Sequence, residues 1–133
     1  VESAKGSAYI PKGKCILEFG TNKDFKTKAE EDYTTRSEKD YEGLNKAETT
    51  FIFMTPRCWG NKKDWEEEKK KNSIWKDVRV YDSTLLVQWI LSVPSVDIWF
   101  SQLVGMPVNN LISGSERLMH PFLLQVVRIL PCS

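Results

Sequence analysis

The apolar positions of the chain fall in short blocks separated by charged stretches. Cys15-Ile16-Leu17-Glu18-Phe19 places four apolar residues around one acid and ends at Gly20-Thr21, the signature of a buried strand. Thr21-Asn22-Lys23-Asp24 has the form of a capping box and predicts a helix from Asp24 to Arg36. Lys28 and Asp32 stand four apart on it and share a face. Residues 37–49 are charged, carry Gly43 and Asn45, and read as a loop. Thr50 to Thr55 is apolar on both faces, as a central strand covered by helices should be, and Pro56 ends it. Asn61 is placed to cap a helix over 62–72, with Glu66–Lys70 and Glu67–Lys71 in the favourable order. Val78-Arg79-Val80-Tyr81 alternates and predicts a third strand with one face less buried.

Asp82 is placed to cap the next helix, over 83–93, whose stripe is Leu85, Leu86, Trp89, Ile90 and Val93. Pro94 interrupts, and a second helix, 95–104, carries Val96, Trp99, Phe100, Leu103 and Val104 at a spacing that predicts burial in the core. Together the two helices have the length of a membrane span, but Pro94, Asp97, Gln88 and Gln102 argue against one. At the other end, residues 1–14 predict an extra strand before Ile10 and a hairpin-like turn at Lys12-Gly13. Alternating elements of this kind specify an α/β fold: a three-layer sandwich with a central mixed or mostly parallel sheet flanked by helices.

Composition divides the chain. After Asp82 the only charged residues are Asp97, Glu116, Arg117 and Arg128. Gly105 to Asn110 breaks the helix, and Leu118 to Leu130 is apolar again. One α/β domain is expected over 1–105. Residues 106–133 read as a linker and an apolar C-terminal segment, either a docked helix or the truncated start of a further region. A length of 133 residues suits one domain rather than two. A net charge of +1 provides no global field toward nucleic acid or a membrane, and leaves a local basic face open. Lys69-Lys70-Lys71 reads as a solvated face, with a DNA-phosphate contact the alternative. The three cysteines, Cys15, Cys58 and Cys132, include no C-x-x-C pair, so neither a disulfide framework nor a zinc site is expected. With no signal-peptide pattern in the first residues, the expected setting is the cytoplasm. His120, the single histidine, is expected to be a surface or packing residue.

The chain has no Gly-x-Gly-x-x-Gly, no Walker A loop and no Gly-x-Ser-x-Gly elbow. Without a phosphate-cradling glycine loop, a small nucleotide-binding domain is disfavoured. What remains is polar groups at strand ends. Glu18, Arg57 and Asp82 lie at or just after the carboxyl ends of predicted strands, where open α/β sheets bind ligands. An unpaired buried carboxylate is costly, so Glu18 should meet a cation, a metal or hydrogen-bond donors. A carboxylate with a nearby lysine is part of what metal-assisted phosphodiester hydrolysis needs. One carboxylate is too few, and a second is expected from a neighbouring strand.

Several motifs taken together resemble PD-(D/E)XK, restriction-endonuclease-like domains, of the kind found at the front of large bacterial proteins with NTPase regions, some associated with phage defence. The residues that carry the likeness are Ile10-Pro11-x-Gly13, Leu17-Glu18-Phe19-Gly20-Thr21, and Lys23-Asp24-x-Lys26-x-Lys28-Ala29-x-x-Asp32-Tyr33. It continues through Glu48 to Arg57 with Trp59, Trp75 to Asp82, and Leu86-x-x-Trp89, covering about residues 1–105. The resemblance implies a restriction-endonuclease-like sheet flanked by helices, Mg²⁺ or Mn²⁺ as cofactor, and DNA as substrate. Glu18 matches the acidic position of the (D/E)XK run, as metal ligand and catalytic group. The motif lysine is replaced by Gly20, so the lysine would come from the following helix, as Lys28 or Lys26. The family's earlier aspartate would lie upstream of Val1, and Glu2 is the nearest acidic candidate for a second ligand. Arg57 and Tyr33 would support the phosphate or the acid. Without that aspartate the chain reads as a fragment of a larger protein, inactive as it stands. The alternative is a catalytically dead recognition or interaction module of a larger bacterial defence protein.

Overall fold

A computed structural model describes residues 1–105. Four strands, β1 (Glu2–Ser3), β2 (Gly13–Phe19), β3 (Thr49–Met54) and β4 (Asp77–Tyr81), form one sheet in that order. β1 runs antiparallel to β2, while β2, β3 and β4 are parallel. The helices among the described residues are α1 (Phe25–Glu38), α2 (Lys62–Lys71), α3 (Ser83–Ser92) and α4 (Pro94–Leu103), with one 3₁₀ turn at Lys46–Glu48. The fold is therefore α/β with a mixed, mostly parallel sheet, as the alternation of elements implied. The expected N-terminal strand is present, though only two residues long.

The two β-α-β crossovers step across the sheet in the same direction. Crossovers are right-handed almost without exception, which puts their helices on one face. The packing agrees. Ile16, Phe51, Phe53, Val78 and Val80 meet Ala29 and Tyr33 of α1 and Trp65 of α2 on that face. Cys15, Leu17, Ile52, Met54 and Tyr81 point to the other, against Leu85, Leu86 and Trp89 of α3. Every residue of β3 is buried, because it is covered on both faces and flanked on both sides. Cys15 is a buried free thiol, and Cys58 is engaged rather than free.

Helix α1 is almost wholly polar and holds on by one short stripe. Phe25, Ala29 and Tyr33, four apart, face the sheet. Tyr33 meets Phe51 and Trp65 edge-on, with ring centroids 5.5 and 5.8 Å away, and its hydroxyl donates to the carbonyl of Lys69 at 3.2 Å. Lys69 is buried beside it. Its Nζ donates to Glu30 at 2.6 Å and to Glu68 at 3.0 Å, and lies 5.5 Å from the Tyr33 ring centre and 5.7 Å from that of Trp65. Lys70 pairs with Asp77 at 2.9 Å. Lys69 is thus buried in ion pairs, while Lys70 and Lys71 stay exposed as the run implied.

The ends of the helices show which cap signals operate. Asp82 caps α3 as expected: Oδ1 accepts from Leu85 N at 3.3 Å and from Lys62 Nζ at 2.6 Å, and Oδ2 accepts from Trp59 N at 3.3 Å. The capping box at α1 does not form. Asp24 occupies the cap position without a side-chain bond. Asn61 likewise precedes α2 without capping it, because its Oδ1 accepts from Trp59 Nε1 at 3.1 Å. Pro94 opens α4 at its first helical position, where the missing N–H costs nothing, and the axis bends by 113° between α3 and α4. The stripe of α4 is not core. Trp99 is 59% and Leu103 66% exposed, and Val96 and Val104 are exposed with them. The bend turns this face away from the sheet that α3 covers. No single helix among the described residues is long and apolar enough to cross a membrane. The region expected over 106–133, with His120 and Cys132, lies outside the described residues.

Candidate functional site around Glu18

Glu18 is the penultimate residue of β2, in register with Phe53 of β3, and its side chain is 16% exposed. Strand alternation sends it to the face that α1 covers. There Oε1 accepts a short hydrogen bond from Arg36 Nε. Arg36 also donates from Nη1 to the Tyr41 hydroxyl at 2.7 Å, and its guanidinium carbon lies 5.4 Å from the centre of the Tyr41 ring. The bonds to Tyr41 and then to Glu18 raise the Arg36 pKa further. Arg36 thus supplies the cation that a half-buried Glu18 requires. The second oxygen, Oε2, accepts no hydrogen bond from the described residues. Glu18, Arg36, Tyr41, Leu44 and Cys15 border an open cleft of about 420 Å³.

Lys28 belongs to the same edge of α1. Its Nζ pairs with Asp32 Oδ1. The hydrogen bond to Asp32 raises the Lys28 pKa, and the charges of Asp32, Glu18 and Glu31 add to the rise. Lys28, Asp32 and Arg36 are four apart, one line along the helix over the end of β2. Asp32 Oδ2 is buried without a partner. Lys26 is two residues from Lys28, about 200° around the helix. Its ammonium lies 6.0 Å from the Phe25 ring centre. Of the two lysines, the structure brings Lys28 into the field of Glu18.

Position 20, two residues after Glu18, is closed to a side chain. Gly20 is buried, with its N–H donating to Met54 O at 2.9 Å. A Cβ there would collide with Phe53 Cζ and stand 3.3 Å from Cε1 and Cε2. The central strand needs that ring, so no side chain fits at position 20.

The other sequence candidates are spread more widely. Arg57 donates from Nε and Nη2 to Thr21 O at 3.3 and 3.2 Å, an exposed tie between the two loops at the carboxyl edge of the sheet. Tyr33 is a core residue with its hydroxyl bonded to Lys69, so it does not face a ligand. Asp82 is occupied as a cap. Glu2 lies opposite Lys14, four residues from Glu18. At about 3.3 Å per residue that is roughly 13 Å along the sheet, too far for the two to share one ion.

No group of three His, Cys, Asp or Glu that could hold a metal occurs among the described residues. Mg²⁺, however, is commonly held by one or two carboxylates with water and substrate phosphates completing its shell. Glu18, whose Oε2 accepts no hydrogen bond from the described residues, would supply a single ligand and not a cage. Arg36 and Tyr41 were not among the residues singled out from sequence. The available signal was the extension of Lys28–Asp32 by one more four-residue step to Arg36. Compared with known proteins, the chain matches no family model, no curated protein and no solved structure.

Proposed function

We propose that residues 1–105 form a restriction-endonuclease-like domain that handles DNA phosphodiesters around Glu18, with Mg²⁺ or Mn²⁺ as the cofactor of cleavage. The observation that carries this reading is the place of Glu18 at the carboxyl end of a parallel strand, with the charge of Lys28 on α1 coupled to it. Together with the steric bar at Gly20, it supports a lysine supplied by helix α1 in place of the motif position. When bound, a divalent cation lowers the pKa of water and offsets charge on a phosphate. Glu18 Oε2 would be its protein ligand. Lys28, held by Asp32, offsets phosphate charge or orients the attacking water. Arg57, on the same edge, is exposed to an incoming phosphate. The setting that suits this chemistry is the cytoplasm, with the domain serving a larger bacterial defence protein.

Calorimetric titration with Mn²⁺, comparing the chain with Glu18→Ala, tests the reading. Binding that is lost in the variant supports it and justifies DNA cleavage assays. No binding to either form removes the metal-dependent reading. A second reading then stands, a non-catalytic recognition module, favoured by the ion pair that already satisfies Glu18. Its signature would be binding of a partner or DNA that is unchanged by Glu18→Ala and by chelators.

A further inference from the structure

Among the described residues, nothing covers the apolar stripe of α4. Val96, Trp99, Leu103 and Val104 are exposed, and their spacing puts them on one side of the helix. A tryptophan and a leucine exposed side by side form the kind of patch that marks an interaction site. The sequence holds a second apolar stretch, Leu118 to Leu130, whose polar residues are His120, Gln125 and Arg128. We propose that this stretch of the same chain docks on the exposed face of α4 and closes the domain there. Three observations choose this occupant. The first is proximity: α4 ends at Leu103, and Gly105, with a left-handed φ of 70°, turns the chain beside the stripe. The second is reach. Helix α4 rises about 15 Å from end to end. Residues 106–117 span up to about 40 Å when extended, so the stretch can reach every point of the stripe. A tether of that length gives an effective concentration on the order of millimolar, far above that of a second copy in dilute solution. The third is charge: residues 83–105 contain no lysine or arginine, so this surface lacks the cations that hold an anionic membrane. The docking does not depend on what Glu18 binds.

Photo-cross-linking of the full chain tests this. Leu103, exposed on the stripe, is replaced by the photoreactive residue p-benzoylphenylalanine, and the protein is irradiated in dilute solution. The expected product has the mass of the monomer and joins position 103 to the tryptic peptide 118–128, which Arg117 and Arg128 delimit. Its yield should not change on about tenfold further dilution, because the docking is intramolecular. Val126→Asp, in the stretch, and Trp99→Gln, on the stripe, should each lower the yield at least about fivefold, since each removes a large part of the apolar burial. Trp99→Gln alters an exposed side chain, so it carries the test if Val126→Asp does not fold. Unchanged yields in both variants would mean that the tether alone brings the stretch near, and overturn the docking. A product of dimer mass that fades on dilution overturns it in favour of a second copy. Labelling of lipid in phosphatidylcholine–phosphatidylglycerol vesicles, with loss of the monomer product, overturns it in favour of a membrane. No product at peptide 118–128 overturns it outright.

Discussion

Gly20 lies directly under the ring of Phe53, and a single carbon added to Gly20 would run into Cζ of that ring. Gly20 directly follows β2, and Phe53 lies in the adjacent parallel strand β3 on the face of the sheet covered by α1. Overpacking of this kind is relieved only by moving a fully buried ring, at a cost of about 1–3 kcal/mol. Gly20→Ala should therefore lower the unfolding free energy in urea by that amount. Combined with Phe53→Leu, which opens space above position 20, the loss should fall short of the sum of the single losses by at least about 0.5 kcal/mol. Additive losses would mean that the contact does not limit position 20.

On the proposed nuclease reading, Lys28 and Lys26 should differ in a Mn²⁺-dependent DNA cleavage assay. Lys28 shares an edge of α1 with Asp32 and feels the charge of Glu18, whereas Lys26 leaves on the far side of the helix. Lys28→Met should lower the cleavage rate by about a hundredfold, the scale on which a single charge-stabilising group acts. Lys26→Met should stay within about twofold of wild type. Similar losses in both variants would remove the assignment of Lys28.

Asp77 predicts how stability depends on pH. Burial opposes ionisation of its carboxylate, but hydrogen bonds from Arg79 and Lys70, at 2.8 and 2.9 Å, outweigh it and hold its pKa below the ordinary value. Glu30 follows the same logic, with burial opposed by Lys69 and Trp65. The folded state therefore binds protons less readily at these groups than the unfolded chain does. Their contribution is fully present above the unfolded carboxyl pKa, about 4, and is lost as the pH falls through the depressed folded values. Urea midpoints should decline with acid below about pH 4.5, and Asp77→Asn should be less stable at neutral pH with a shallower acid slope. An unchanged slope would show that Asp77 does not contribute to it.

The order of elements was legible because hydrophobic runs and helix-forming stretches alternate, and because β3 carries the unbroken apolar run Phe51 to Met54. What misled was chemistry that depends on a third residue. Thr21 and Asn61 have the right identities for caps, yet Asn61 is claimed by Trp59, a partner that no local pattern reveals. Trp99 and Leu103 carry a core-like spacing, but burial depends on the angle at which α4 leaves α3, and the bend at Val93-Pro94 is a tertiary property. At the site, Glu18 was visible as the one acid in an apolar strand. Arg36 was not, because 18 residues separate it from Glu18 and only the packing of α1 on β2 brings the two together. Tyr33 illustrates the converse: its spacing from Phe25 and Ala29 already placed it on the core stripe of α1, which conflicted with a ligand-facing role.

The outer edge of β4 supplies a further test. An edge strand offers unpaired backbone groups to any other strand, and charged side chains can block them. Here the Val80 N–H donates to Glu66 Oε1 of α2 at 2.6 Å, and the Val78 N–H donates to Asp77 Oδ1 at 2.9 Å. Val80 itself is fully buried, so its N–H has little access to water if Glu66 is removed. Glu66→Ala should then cost about 1–3 kcal/mol, the penalty of a buried donor left unpaired. Glu66→Gln keeps an acceptor oxygen at the same reach and should recover most of that loss, which separates the hydrogen bond from the charge. The freed edge should also raise self-association, visible as a mass increase in light scattering with Glu66→Ala and not with Glu66→Gln. If Glu66→Ala unfolds at the wild-type urea concentration and remains at the wild-type mass, the carboxylate does not guard this edge.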